Sequence, residues 1–188
     1  MAENRIYIQR YAMLFGAYLG VYWIIGSALF PLGFTIPFLL LLFIGFVIGG
    51  PFVGYYYAKN YRNRVCGGSI SFSHAWVFTA LMYVFASLLA AAAHYIYFRF
   101  IDQGFLVDTY TRMVDELFSQ GGPTVTGMEI YKEQMEQACE QLSSLTPIEI
   151  TMQLFSNNIF WGILLAIPTG LCVMKKKRTA DNPSDISR

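Results

Sequence analysis

The chain carries little charge, and long stretches of it carry none. Charged residues make up 13% of its 188 residues and hydrophobic residues 55%, with a mean hydropathy of +0.44. No Asp, Glu, Lys, Arg or His occurs in residues 11–58, 75–93 or 150–174. Uncharged runs of about 18 residues or more can cross the hydrocarbon core of a bilayer, where the backbone has to be helical. The sequence therefore predicts an all-α, polytopic membrane protein.

Motifs of catalysis and of metal binding are also missing. The sequence contains no phosphate loop, nucleophile elbow, zincin motif or dinucleotide fingerprint. Its cysteines, Cys66, Cys139 and Cys172, have neither close spacing nor metal-ligand spacing, which predicts free thiols. An intermolecular disulfide through Cys139 is the alternative. We therefore expect that the protein is not an enzyme and has no catalytic residue. We also expect that it binds no cofactor, no metal and no nucleic acid.

The first uncharged run is too long for one crossing. Its 48 residues would form a helix of about 72 Å at ~1.5 Å per residue, against a hydrocarbon core of roughly 30 Å. Pro31, Gly33 and Pro37 interrupt helical structure within seven residues. We predict two transmembrane helices here, at about 11–30 and 36–57.

Two further transmembrane helices are predicted downstream. The third covers about 73–98 and follows a basic loop at 58–72, with Ser71 or Ser73 as its N-cap. The fourth covers about 147–174 and has a strong start signal. Its residues are Thr146 as N-cap, Pro147 at the first helical position and Glu149 completing a capping box.

Charge is distributed so that it predicts an orientation. Residues 99–149 contain nine acidic and three basic residues, and the other ten of the thirteen basic residues lie outside this segment. Four crossings place both termini on one side, and the positive-inside rule makes that side the cytoplasm. Cytoplasmic segments are then 1–10, 58–72 and 175–188, and the acidic segment 99–146 is extracytoplasmic. The expected location is a bacterial inner (plasma) membrane.

Two features near the ends of the chain bear on this topology. A basic cluster after the fourth transmembrane helix predicts a topogenic anchor that touches anionic lipid; it consists of Lys175, Lys176, Lys177 and Arg178. Near the N-terminus, Gly26-Ser27-Ala28 after an apolar run resembles a signal-peptide cleavage site. Cleavage there is an alternative that would leave three crossings.

The acidic segment contains two apolar stripes at heptad spacing. The later stripe is spaced 3-4-3-4-3 and comprises Met128, Tyr131, Met135, Ala138, Leu142 and Leu145. The earlier one is spaced 4-3-4 and comprises Leu106, Tyr110, Met113 and Leu117. The turn residues 121–123 separate them, which predicts an antiparallel helical hairpin between transmembrane helices three and four. The stripes either face each other over the outer ends of those helices, or one of them docks a protein or a second copy.

Few polar residues occur within the predicted transmembrane helices. Gln153, Asn157 and Asn158 are interpreted as hydrogen-bonding to a neighbouring helix, with a substrate or ion path as the alternative. His74 and His94 lie near the two ends of the third helix, where packing at the interface is favoured over proton relay.

Small residues recur at four-residue spacing on several of these helices. The glycine pairs are Gly16 and Gly20, Gly45 and Gly49, and Gly50 and Gly54, and a similar small-residue face on the third helix comprises Ala86, Ala90 and Ala93. Such pairs let two helices approach closely, either within one bundle or between two copies. Packing within the bundle is the favoured interpretation, and homodimerisation is the alternative.

Four sequence stretches resemble a known family. They are "YRNRVCGGSISF", "YIYFRFIDQGFL", "EQMEQACEQL" and "GILLAI" followed by "KKK". They are similar to the domain-of-unknown-function 4199 family of small bacterial four-span membrane proteins, over about residues 10–177. The resemblance implies a four-helix inner-membrane protein and supplies no activity or site.

These features favour a non-enzymatic structural or interaction protein that uses its extracytoplasmic hairpin. The expected partners are the lipid bilayer and either a second copy or a membrane or periplasmic protein. The alternative is a small oligomeric channel or transporter subunit in which Asn157, Asn158 and His94 line the path.

Overall fold

The computed structural model describes residues 2–120 and 128–175. Its helices are α1 Ala2–Gly33, α2 Pro37–Arg64, α3 Phe72–Ile96, α4 Phe105–Gln120, α5 Met128–Ser144 and α6 Pro147–Val173, with a π-helical segment at Tyr97–Asp102 between α3 and α4. Within the described ranges, β pairing is limited to an isolated antiparallel bridge between Ile70 and Lys175. The predicted all-α class is confirmed.

Four helical stretches are long and apolar enough to cross a membrane: Tyr7–Gly33, Pro37–Arg64, Phe72–Asp102 and Pro147–Val173. They correspond in order to the four predicted transmembrane helices. Three of them extend further than predicted. The first begins at Tyr7 and runs past Pro31 to Gly33, α2 continues through the basic residues up to Arg64, and the third stretch continues through the π-helical segment. The fold is that of a multi-pass membrane protein.

The break between α1 and α2 is shorter than the prolines suggested. Pro31 stays inside α1, which continues for two more residues to Gly33. Pro37 starts α2, and Ile36 before it is extended with φ −126° and ψ 98°. An extended residue before proline is the expected geometry, because the proline ring disfavours the helical region there. Pro37 therefore fixes the start of α2, whereas Pro31 falls close enough to a helix end to be tolerated.

α3 is the central helix of the bundle, and it packs extensively against both α1 and α6. About 44% of its transmembrane window is buried, against 11% in α2. Small residues make these contacts close. A Cβ at Gly16 would lie 2.7 Å from Phe85 Cβ, and a Cβ at Gly162 would lie 2.7 Å from Tyr83 Cβ. Two tight seams, α1–α3 and α3–α6, hold the bundle together.

Most of the glycine pairs singled out in the sequence pack within this bundle. Gly20 faces Leu89, and Gly54 faces the Tyr83 hydroxyl. Gly45 differs, since a Cβ added there would meet nothing within 4 Å. Close intrachain packing is therefore the role of most of these pairs.

The outer surface of α2 is strongly apolar. Its large exposed side chains include Phe38 at 68% exposure, Leu41 at 67% and Phe52 at 70%. Contact of so large an apolar surface with water is unfavourable, whereas contact with lipid tails is not. This surface supports a membrane environment for the bundle.

α4 and α5, which we call the helix pair, pack against each other. Val114 on α4 and Cys139 on α5 are 4% and 8% exposed. Over the ranges that the structure describes, neither helix makes extensive contact with α1, α2, α3 or α6. The connection between the two helices, with the predicted turn at 121–123, lies outside the described residues.

Candidate functional site

The first polar centre lies at the end of the bundle where the α2–α3 loop is found. Tyr61 is 2% exposed, and its ring stacks on that of Phe78 with centroids 3.7 Å apart. Its hydroxyl lies 3.0 Å from Nε2 of His74, and the Tyr11 ring centroid is 6.0 Å away. We call these four residues the basic-end cluster. It joins the start of α1, the end of α2 and the start of α3.

The end of α6 joins the same centre through backbone contacts. Arg62 donates from Nη1 to the Val173 carbonyl at 3.0 Å. Ile70 and Lys175 exchange two backbone hydrogen bonds of 2.9 and 3.0 Å. The last carbonyls of a helix have no partner within the helix, and Arg62 supplies one here. The start of α1 and the end of α6 therefore lie at one end of the bundle, as four antiparallel crossings require.

Cys66 lies in the loop beside this cluster. Burial raises the pKa of the Cys66 thiol, and a hydrogen bond with Tyr61 opposes that increase in part. A raised pKa disfavours the reactive thiolate, so Cys66 has the character of a structural residue. The cysteines are free, and the described residues contain no cluster of three or more His, Cys, Asp or Glu that could hold a metal ion.

The second polar centre is Asp102, which sequence analysis missed. The side chain is 8% exposed and accepts three hydrogen bonds. They come from the Tyr97 hydroxyl at 3.1 Å and from the backbone N–H groups of Gly104 and Leu106, both at 3.2 Å. Gln103, with φ 45°, turns the chain between α3 and α4. Asp102 therefore fixes the direction in which α4 leaves α3. The sequence signal that could have revealed this role is an Asp two residues before Gly104, directly ahead of a helix start, because Asp side chains often cap such turns.

The two histidines have different surroundings. His74 is bonded to Tyr61, as described above, and its backbone N–H is capped by Ser71 Oγ at 3.4 Å. Of the two predicted N-caps for α3, Ser71 is therefore the one used. His94 is half-buried on α3, and its Nδ1 is buried without a hydrogen bond in the described part of the chain.

The predicted interaction stripe on α5 is described only in part. Met135, Ala138 and Leu145 are half-buried, and Cys139 beside them is buried. The side chains of Met128, Tyr131 and Leu142 lie outside the described residues. Met135 and Ala138 therefore lie beside the buried position of α5, whereas Leu145 follows the end of this helix at Ser144.

The stripe predicted on α4 is half-buried at Leu106 and exposed at Tyr110 and Met113, and the side chain of Leu117 lies outside the described residues. Tyr110 is 37% exposed and Met113 is 51% exposed, whereas Val114 is 4% exposed. α4 has apolar residues on two flanks, because Val107 and Val114 form a second stripe seven residues apart. Spacing alone does not decide which flank meets α5. The structure leaves Tyr110 and Met113 on the surface, which agrees with the second of the two predicted roles, a stripe that is free to dock a partner.

The carboxamides of α6 point in different directions. Gln153 and Asn157 are exposed and Asn158 is half-buried. Gln153 lies nine residues before the buried Gly162, and Asn157 lies nine residues before the buried Ala166. Nine residues correspond to about 180° around a helix, so both carboxamides are on the side opposite the buried face. None of the three carboxamides has a hydrogen-bond partner within residues 2–120 and 128–175. The predicted bond to a neighbouring helix is therefore not made within this bundle.

The start of α6 is the element that the sequence specified most sharply. The Thr146 backbone N–H donates to the Glu149 carboxylate at 2.7 Å, and the Thr146 hydroxyl donates to the same oxygen at 2.7 Å. The predicted capping box at Thr146 and Glu149 is confirmed. At the other end, Lys175 is exposed and bridged to Ile70, while Lys176, Lys177 and Arg178 lie outside the described residues.

Comparison with known proteins places this geometry in a family. A family model described as "Protein of unknown function (DUF4199)" matches residues 14–175. Because the match covers most of the chain, the protein belongs to this family, as the sequence resemblance predicted. No curated protein and no solved structure matches the chain.

Proposed function

We propose that this protein is a non-enzymatic interaction protein of a bacterial inner membrane, with both termini in the cytoplasm. Its helix pair, exposed on the outer side, engages a protein partner there. The four apolar helices support the membrane location, and the uneven distribution of basic and acidic residues supports the orientation.

The exposed apolar flank of α4 is the observation that carries this proposal. Tyr110 and Met113 stay on the surface although Val114 beside them is buried. Tyr and Met are enriched at the centres of protein interfaces, where they supply large contact areas. The helix pair also makes no extensive contact with the bundle in the described ranges, so its surface is accessible.

Charge indicates which kind of partner suits this surface. The segment 99–149 carries nine acidic and three basic residues, and Asp108 and Asp115 are exposed on α4 itself. A surface of this sign attracts a basic protein surface and repels an acidic one. An apolar contact at Tyr110 and Met113 with an acidic rim is the arrangement that we propose.

Site-specific photocrosslinking in intact cells tests this function. A photoreactive residue replaces Met113 in one variant of the full chain and Asp115, on the other flank of α4, in a matched control. We expect a discrete adduct from position 113, lost when Tyr110 is also changed to Asp, and a much weaker adduct from position 115. Equal labelling from both positions, or no adduct from position 113, would contradict the proposal.

Removal of the helix pair provides a second test. Deleting residues 105–145 is expected to abolish partner capture while leaving membrane insertion intact, because the insertion signals lie in the four long helices. Retained capture by the deletion variant would place the docking surface elsewhere.

The alternative, a channel or transporter subunit, requires more than one copy. Asn157 faces away from the bundle that contains it, so a single chain gives it no enclosed path. If several copies surround a path, solute flux into reconstituted vesicles should fall when Asn157 and Asn158 are both changed to Leu. Flux that is absent, or that is unchanged in this variant, excludes the alternative.

A further inference from the structure

The outward face of α6 carries a second heptad pattern, which is independent of the helix pair. Its residues are spaced 4-3-4-3-4 and comprise Gln153, Asn157, Phe160, Leu164, Ile167 and Leu171. All six are exposed, with exposures of 62%, 45%, 42% and 51% for the last four. We call this set the α6 seam. A repeat of 3.5 residues on one face is the pattern of helices that wrap around each other in a left-handed coil.

Lipid can cover the apolar part of this seam but not its carboxamides. Asn157 lies three residues from Phe160, the middle of Pro147–Val173, and so about 5 Å from the helix midpoint at ~1.5 Å per residue. At that depth no water is available to bond an amide. Gln153 and Asn157 nevertheless have no hydrogen-bond partner in the described residues. Their partner is therefore expected on another molecule.

We infer that a second copy of this chain packs against the α6 seam, forming a parallel, two-fold-symmetric dimer inside the membrane. Copies of one membrane protein insert in the same orientation, so their α6 helices run parallel and each seam residue meets its own counterpart at equal depth. A carboxamide both donates and accepts hydrogen bonds, so Asn157 complements the Asn157 of a second copy. A single Asn in the core of a parallel two-stranded coil also fixes its register.

α2 shows that exposure alone does not create such a surface. Its outward residues between Phe38 and Phe52 are entirely apolar, so lipid satisfies them completely. This gives a matched control face, with Ile48 at 62% exposure in the middle of α2. The dimer is expected through α6 and not through α2.

Disulfide trapping in native membranes tests the geometry. In the full chain with Cys66, Cys139 and Cys172 replaced by Ala, single cysteines are introduced by Asn157→Cys, Leu164→Cys and Ile48→Cys. Mild oxidation should give a covalent dimer from the first two variants and little from Ile48→Cys. Crosslinking from Ile48→Cys as strong as from Leu164→Cys, or none from the α6 positions, would overturn the dimer.

Energy transfer between labelled copies in lipid vesicles tests the role of the carboxamides. Changing Gln153 and Asn157 to Leu should lower the dimer association constant by about 3- to 20-fold, the range given by ~0.6–1.7 kcal/mol for interhelical hydrogen bonds. Asn157→Gln should retain association, and the control pair Val47→Leu with Ile48→Leu should leave it unchanged. The Leu variants insert readily because Leu favours membrane insertion.

Two results would overturn the inference. Wild-type protein that stays monomeric would mean that a different protein covers the α6 seam. Association that is unchanged in the carboxamide variant would mean that Gln153 and Asn157 do not bond across the dimer.

Discussion

The guanidinium of Arg62 donates a hydrogen bond of 3.0 Å to the carbonyl of Val173, 111 residues further along the chain. This contact closes the bundle at its basic end, because it joins the last turn of α2 to the last turn of α6. The Ile70–Lys175 bridge lies beside it and adds two backbone hydrogen bonds. The loop after α2 and the end of α6 thus form one structural unit.

Loss of this contact should destabilise the bundle. Arg62→Ala removes a charged donor from a partly buried carbonyl, with an expected cost of about 1–2 kcal/mol in the free energy of unfolding. Unfolding by sodium dodecyl sulfate in mixed micelles measures it. Arg64→Ala changes an exposed arginine two residues away and should have little effect. Equal stability of the two variants would remove the structural role assigned to Arg62.

The α1–α3 seam should tolerate no added side chain at Gly16. In Gly16→Ala the new Cβ meets Phe85 Cβ at 2.7 Å and the Met82 carbonyl oxygen at 2.8 Å, so the helices must separate. Overpacking of this kind costs about 1–3 kcal/mol. Gly45→Ala is the matched control, because nothing lies within 4 Å of its Cβ position. The same micelle assay should rank the Gly16 variant well below the Gly45 variant; the reverse order would show that the seam is misassigned.

Asp102 should control the order of the first turn of α4. Asp102→Ala removes the acceptor for the N–H groups of Gly104 and Leu106, so their amide hydrogens should exchange faster, by about 5- to 150-fold for a loss of ~1–3 kcal/mol. Hydrogen exchange measured on peptides covering 103–110 reports this change. Asp108→Ala alters an exposed carboxylate on the same helix and serves as the control. Unchanged exchange in the Asp102 variant would show that the turn holds without it.

The Cys66 thiol should react slowly near neutral pH. Because burial raises its pKa, alkylation in solubilised protein should require a higher pH than alkylation of an exposed thiol introduced by Asn63→Cys. The hydrogen bond with Tyr61 lowers this pKa, so Tyr61→Phe should raise it further and slow the reaction at a fixed pH. The rate measured from pH 7 to 10 distinguishes these cases. Faster alkylation in Tyr61→Phe would mean that lost burial outweighs the lost bond.

The parts of the fold that depend on local chemistry were predictable from the sequence. The four long helices follow from uncharged runs, and the start of α6 follows from a capping box within four residues. Helix starts of this kind are encoded by neighbours in the chain, so no knowledge of the tertiary structure is needed. The Pro37 start of α2 belongs to the same group.

The parts that were missed depend on contacts between distant residues. The Arg62–Val173 bond spans 111 residues and involves a backbone carbonyl that no motif marks. The sequence left open which flank of α4 faces inward, because Val114 and Met113 both lie on apolar flanks and only the position of α5 selects between them. The outward direction of Asn157 likewise becomes visible only when Gly162 and Ala166 are seen to face α3 and the bundle.

The side of the membrane on which the helix pair lies is the central claim, and a labelling experiment tests it most directly. Cys139 is only 8% exposed, so a better reporter is Glu133→Cys, introduced at an exposed position of α5 in a chain otherwise free of cysteine. The matched reporter for the basic end of the bundle is Asn63→Cys, at an exposed position in the last turn of α2. A membrane-impermeant maleimide added to intact cells should label Glu133→Cys at once and Asn63→Cys only after permeabilisation. Labelling of Asn63→Cys but not of Glu133→Cys in intact cells would contradict the orientation, and with it the proposed partner outside the membrane.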